Sequence, residues 1–291
     1  MITGLRRSAL YIPCDRRKMV EKSVEYPADL LLLNLEDGIA ASSKDTARAN
    51  AVGALKALDF GAREVVVRIN SLESEAGRCD LAAVLPCRPD GICLPKIETP
   101  AAVRAAETAI LELESGHESP EGGVRLHAMI ESAAGVLSAR DIAASSSRMA
   151  SLIFGSADYC DDVHCQPGED RIELWFALQM VVAGARAAAV DAIDGPCFDI
   201  SNQDLLHREA TQARRFGFDG KSALHPGQLG TINGVFDVTP EERIWAEKVV
   251  AELQDAENRG RALSTLEGHL IDNPHRNAAQ RILRRARLSR K

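Results

Sequence analysis

The chain has 291 residues, 45% of them hydrophobic, and a formal net charge of -7, which excludes a disordered or fibrous chain and suits two ordinary domains or one α/β barrel with an appendage. The acidic balance argues against a general nucleic-acid binder, whose binding face carries a basic excess. No apolar run approaches a membrane span and two arginines precede the first such run, so neither a membrane segment nor a secretory leader is read, and a cytoplasmic location is expected.

In chain order, short β-like runs bounded by turn and charge signals fall at 8–13, 30–36, 64–70, 91–96, 125–131, 151–157, 190–195 and 220–225. Helix-like stretches rich in Ala, Leu, Glu and Arg lie between them. Near-continuous apolar strands are what a parallel sheet covered on both faces requires, and eight such units match a (β/α)8 TIM barrel, an α/β fold. A doubly wound open sheet is the alternative. The barrel is favoured because no Gly-rich phosphate fingerprint follows the first strand, and chemically distinctive residues recur at strand ends. After the eighth strand a long helix begins near Thr239-Pro240-Glu241 and is read as completing the barrel. Residues from 257 onward read as a hairpin-like piece and a basic helix, giving a barrel domain over 1–256 and a C-terminal extension or lid over 257–291.

Seven cysteines, Cys14, Cys79, Cys87, Cys93, Cys160, Cys165 and Cys197, show no repeated spacing and are expected as free, buried thiols. Basic residues cluster at Arg6, Arg7, Arg16, Arg17, Lys18 and Lys22 and again in the last sixteen positions. Solvated helix ends and an anion pocket for phosphates are both open readings of these clusters.

At the C-terminal ends of the strands stand Pro13, then Glu36 and Asp37, Arg68 and Asn70, Lys96, Glu131, Asp158, Asp194 and His225. In a barrel these ring one mouth. Glu131 and Asp158 end neighbouring strands, and two carboxylates brought together there need a cation between them. A hard ion such as Mg2+, which keeps positions open for water and substrate oxygens, is the economical answer. Arg68 then faces a carboxylate or enolate oxygen with a permanently charged, directional fork. Zinc held by Cys160, His164 and Cys165 is the competing reading of "LIFGSADYCDDVHCQPGED", but that cluster lacks the paired spacing of structural zinc sites.

The motifs "RSALYIP", "NLEDGIAASSKDTAR", "VVVRIN", "LPKIE", "MIESAAGVLSARDIA", "LIFGSADYCDD", "GFDGKSALHPGQ" and "GHLIDNPHRNAAQRIL" follow in order. From about residue 6 to 286 the chain resembles the citrate lyase β subunit and its relatives, the citramalyl-CoA and malyl-CoA lyases of the HpcH/HpaI aldolase superfamily. The resemblance implies a TIM barrel, a homotrimer or hexamer, that cleaves or forms a carbon–carbon bond in a 3-hydroxyacyl thioester using Mg2+. It places the metal ligands on Glu131 and Asp158 and the substrate arginine on Arg68, the same three residues that the strand ends single out. It also makes Asp272 a lid aspartate supplied to a neighbouring subunit, and lays the coenzyme A thioester along Tyr11, Lys18 and Lys22 toward Leu224 and His225. Glu36, Asp37 and Lys96 support this set from behind. Lys96 is read as a salt bridge to Glu98 or a rim carboxylate rather than as a Schiff-base lysine. Two departures from the family pattern are Asn34, where an aspartate is usual, and Cys14, where a glycine is usual.

The expected reaction is cleavage of citramalyl-CoA to acetyl-CoA and a 2-oxo acid. The alternatives are a citrate lyase β subunit fed by an acyl carrier protein, a malyl-CoA or methylmalyl-CoA lyase, and a barrel that has lost catalysis.

Overall fold

Eight short parallel strands pair in chain order and close on themselves. They are β1 (Ser8–Pro13), β2 (Leu30–Asn34), β3 (Glu64–Arg68), β4 (Gly91–Leu94), β5 (Arg125–Ile130), β6 (Met149–Phe154), β7 (Asp191–Asp194) and β8 (Gly220–Ala223). The computed structural model describes residues 4–115 and 123–289. Pairing of Ser8, Ala9 and Leu10 in β1 with Lys221, Ser222 and Ala223 in β8 makes the sheet a barrel and removes the open-sheet alternative. Most strands stop one to three residues short of the reading from sequence, because the charged residues beyond their apolar cores leave the sheet to form the mouth.

Between and after the strands run α1 (Arg17–Lys22), α2 (Lys44–Ala57), α3 (Glu75–Val84), α4 (Pro100–Glu114), α5 (Ala133–Leu137) and α6 (Ala139–Ala143). They continue with α7 (Ser156–Asp162), α8 (Trp175–Ala187), α9 (Gln203–Phe216) and α10 (Leu229–Phe236). Small hydroxyl side chains start several of them. Ser74, Thr99 and Ser132 accept the backbone N–H of Gly77, Ala102 and Gly135, satisfying donors that a helix start leaves open. Among the described residues no helix is long and apolar enough to cross a membrane.

Side chains alternate across a strand, so every second residue points into the barrel. Ala9, Leu30, Leu32, Val66, Cys93, Met129, Ile153 and Ile193 form one buried apolar cluster with Tyr11 packed against it. Two residues toward the strand starts, the same parity gives Glu64, His127, Ser151 and Asp191. Arg6 binds Glu64 at 2.5 and 2.8 Å and Asp191 at 2.6 Å, while Nδ1 of the wholly buried His127 lies 2.8 Å from Ser151 Oγ. Burial holds His127 below its ordinary pKa. Burial also works against the Glu64 carboxylate, but its hydrogen bonds outweigh this and bring it down to about 2. Two residues in the other direction, the same parity gives Arg68 and Glu131.

Asp194 breaks the expected ring. It follows inward-facing Ile193, so it points outward between sheet and helices and is wholly buried. There it accepts Arg171 at 2.7 and 2.9 Å and Lys221 at 2.8 Å, and Lys221 also reaches Glu209 at 2.9 Å. Burial works to raise its pKa, but the two cations reverse this and hold it at about 2.

Of the described residues, Arg6–Val235 form one compact unit, and 236–289 together with 4 and 5 form another. Helix α11 (Pro240–Asn258), which the sequence reading assigned to the barrel domain, groups with this unit. Its buried Ala246, Val249 and Leu253 pack with Ile271 and Ala279, so its apolar stripe is covered from within the C-terminal unit. Thr239 and Glu242 cap it reciprocally. Strands β9 (Ser264–Leu266) and β10 (His269–Ile271) make an antiparallel hairpin around Glu267 and Gly268, both with positive φ, and α12 (Asn273–Leu288) follows.

Because removing one partner strands a buried charge, Asp194→Asn is expected to cost about 3–5 kcal/mol in denaturant unfolding. The depressed pKa sets a sign as well. The stabilisation from Asp194 is complete above pH 3.8, its ordinary value, and is lost as pH falls toward about 2. An acid-unfolding curve of the variant is expected to lack that component.

Candidate active site

The mouth of the barrel opens into a cavity of about 390 Å³ lined by Tyr11, Asn34, Asp37, Arg68, Met129 and Asp158, among others. Arg68 is its fixed point. The guanidinium is buried, sits 5.7 Å over the Tyr11 ring, and reaches Glu36 at 2.5 Å and Asp37 at 3.2 Å. Burial opposes its charge, but Tyr11 and Glu36 more than compensate and hold its pKa above the ordinary arginine value. Its Nε has no hydrogen-bond partner.

Burial pushes the Glu36 carboxyl up to about 7, against the pull of Arg68. Asp37 is held below its ordinary range: burial raises it, but the contacts with Glu36 and Arg68 prevail. Asn34 shapes this loop, donating to the Asp37 carbonyl at 2.6 Å and accepting the Glu36 N–H at 3.2 Å. An ionised aspartate cannot make the first of these bonds, which gives the Asn34 departure a structural reason. Cys14 is buried, its thiol 3.5 Å from the Ile12 carbonyl, so the second departure fills space beneath the loop.

Glu131 lies just past β5, facing inward like Met129. One carboxylate oxygen accepts the Lys96 backbone N–H at 2.8 Å; the other is buried with no partner at all. Burial raises its pKa, with Arg68 acting in the opposite direction. Asp158 stands in the first turn of α7 rather than at the end of β6, since β6 stops at Phe154 and Gly155 turns the chain. A Cβ on Gly155 would fall 2.3 Å from the unpartnered Glu131 oxygen, so only glycine lets the two elements approach this closely. Lys96 joins the pair, its ammonium 3.5 Å from an Asp158 oxygen. Asp161 and Asp162 fall further along α7, and Asp162 accepts the Ala133 N–H at 2.7 Å. Among the described residues no three His, Cys, Asp or Glu side chains converge on a metal position, so Cys160, His164 and Cys165 form no such cluster. All seven cysteines are free, but only Cys14, Cys93 and Cys197 are buried.

The remaining residues named from sequence divide. Tyr11 and Leu224 line the cavity. Lys18 and Lys22 are exposed on α1 and line no part of it. His225 is exposed and caps the turn after β8, with Nδ1 accepting the Gly227 N–H at 3.1 Å. Asn70 is structural, tied to Lys44, Leu35 and Asp80. Asp272 caps α12 in the C-terminal unit and pairs with His275 Nδ1 at 2.6 Å. His275 was not singled out from sequence. Its place three residues after Asp272, where a capping box puts a reciprocal partner, is the signal that would have found it.

The sequence pattern of the HpcH/HpaI aldolase/citrate lyase family matches residues 7–226. The chain belongs to this family. A second pattern, the carbon–carbon bond lyase of the TIM-barrel fold, matches residues 176–289. Among the family's relatives, the citrate lyase subunit beta of Escherichia coli strain K12 is 35% identical over 99% of this chain and 95% of its own. The (3S)-malyl-CoA thioesterase of Cereibacter sphaeroides is 32% identical over 96% and 94%. A solved structure of CitE from Mycobacterium tuberculosis, in complex with magnesium, acetoacetate and coenzyme A, superimposes with a TM-score of 0.78 at 27% identity. It covers 98% of this chain and 99% of that one.

Within this family fold, Gly155→Ala is expected to displace Glu131 and lower turnover about a hundredfold. Unchanged far-UV circular dichroism alongside the kinetic assay separates that loss from unfolding.

Proposed function

We propose that this family member is a Mg2+-dependent carbon–carbon lyase that cleaves citramalyl-CoA to acetyl-CoA and pyruvate, and runs in reverse. The observation that carries the choice of oxo acid is the lining of the mouth cavity. Beside Asp158 it offers Met129, Pro196 and Phe198, and the cations at this mouth, Arg68 and Lys96, are already paired with Glu36, Asp37 and Asp158. A methyl group suits that wall, whereas the second carboxylate of oxaloacetate would need a further cation.

The residues present fit the metal. Glu131 has a buried oxygen with no partner, Asp158 is half-exposed on the cavity, and oxygen-only donors suit a hard ion. When bound by Glu131 and Asp158, Mg2+ supplies positive charge to the hydroxyl and carboxylate oxygens of the oxo-acid half. Arg68, oriented by Glu36 and Asp37, faces the thioester oxygen on which enolate charge develops as the bond breaks. Asp272 is assigned the proton at the acetyl carbon, serving a neighbouring copy in a homotrimer or hexamer. Tyr11 and Leu224 line the route of the thioester. A barrel that had lost catalysis has no reason to retain all of Glu131, Asp158, Arg68 and Asp272.

The deciding experiment incubates the protein and Mg2+ with citramalyl-, malyl-, methylmalyl- and citryl-CoA and identifies both products. Pyruvate with acetyl-CoA, from citramalyl-CoA in preference to the others, is the expected result. Free coenzyme A with an intact hydroxy acid would instead mean thioester hydrolysis. Turnover confined to citryl thioester on an acyl carrier protein would mean a citrate lyase subunit.

Two further outcomes follow from the same assignment. Asp272→Asn is expected to lower turnover by about a thousandfold while calorimetric Mg2+ affinity stays unchanged. Below about pH 7 Glu36 is protonated and leaves Arg68 to the substrate; above it the carboxylate competes for the guanidinium. The KM for acetyl-CoA in the synthetic direction is therefore expected to rise with pH through about 7, and to lose that rise in Glu36→Gln.

A further inference from the structure

Lys96 holds an unusual position. Its φ is +50°, a left-handed conformation in which a residue bearing a Cβ is strained, and strain of this kind persists where the surroundings enforce it. What the turn achieves is specific to the site. The backbone N–H of Lys96 reaches one Glu131 oxygen at 2.8 Å while its ammonium stands 3.5 Å from Asp158. One residue therefore touches both carboxylates, the first through its backbone and the second through its side chain.

Charge defines the problem that this solves. Arg68 pairs with Glu36 and Asp37, Lys44 adds a second positive charge beside those two, and Lys96 pairs with Asp158, so four acids and three cations leave a net negative charge when all are ionised, with Glu131 in no ion pair. A divalent ion between Glu131 and Asp158 fills that deficit. The Arg68 guanidinium is already committed to Glu36 and Asp37, whereas the Lys96 side chain is half-exposed and tethered at one point. It is the cation free to move.

We infer that Lys96 is a placeholder and relay: its ammonium holds Asp158 until a divalent ion takes that carboxylate, and is thereby released to pair with the carboxylate of the incoming 2-oxo acid. This rests on the Mg2+-dependent lyase reading above. The backbone bond to Glu131 remains throughout, so the released ammonium stays anchored beside the metal position. No bond is made or broken in the step, and the ammonium keeps its proton.

The inference gives two affinities opposite signs. In Lys96→Met a competing cation is gone, so Mn2+ or Mg2+ binding measured by calorimetry on the full chain should tighten about tenfold. In the same variant, pyruvate binding to the metal-loaded protein should weaken about tenfold. Lys96→Arg keeps the charge and should restore both toward wild type. A merely structural lysine would misplace Glu131 when replaced and weaken metal and pyruvate together, overturning the inference. Tighter metal binding with unchanged pyruvate affinity would also overturn it, reducing Lys96 to a charged neighbour. Wild-type protein that binds no divalent ion would bring down the lyase reading as well, whereas normal wild-type metal binding with no gain in Lys96→Met sinks the placeholder alone.

Discussion

Closure of eight parallel strands imposes a strict rule on this chain: every second side chain enters a space that holds only a few, and the rest must be covered by helices. Val66 and Arg68, Met129 and Glu131, and Leu32 and Asn34 are pairs on one face, in which the first member fills the barrel and the second furnishes its mouth. The mouth residues are thus an extension of the hydrophobic core by one more step of the same repeat. Their precision derives from that core, since a shift of one residue in any strand would turn the mouth residue outward.

The mouth is built around imbalance. Arg68 is paired with Glu36 and Asp37, yet Glu131 keeps a buried oxygen without a donor and the ion pair of Asp158 is with a half-exposed ammonium. Folding has left negative charge in a place where it is costly, and that cost is what a divalent ion removes on binding. Gly155 makes the arrangement possible by bringing the turn after β6 against Glu131.

Much of this was legible in the residues. All eight strands could be read because their apolar cores are continuous, and Arg68, Glu131 and Asp158 stood out because charged residues recur at the ends of successive strands and so ring one mouth. Asp194 misled for the same reason. It also follows an apolar strand, but reading it correctly required knowing that Ile193 faces inward, and strand phase cannot be taken from a run that is apolar on both faces. Helix α11 was found with its cap, yet which elements its stripe covers depends on Ile271 and Ala279, far along the chain. The double attachment of Lys96 was out of reach, because a left-handed turn at a lysine leaves no mark in composition or period.

At the opposite end of the barrel, Arg6, Glu64, His127, Ser151 and Asp191 bond to one another across the base. This polar plug makes the barrel a cup with a single opening. Molecules that share such a cup form a queue, in which whatever lies against the metal position enters first and departs last. Order of binding is then a property of the architecture, and in the proposed reaction a short 2-oxo acid beneath a long thioester leaves only after it.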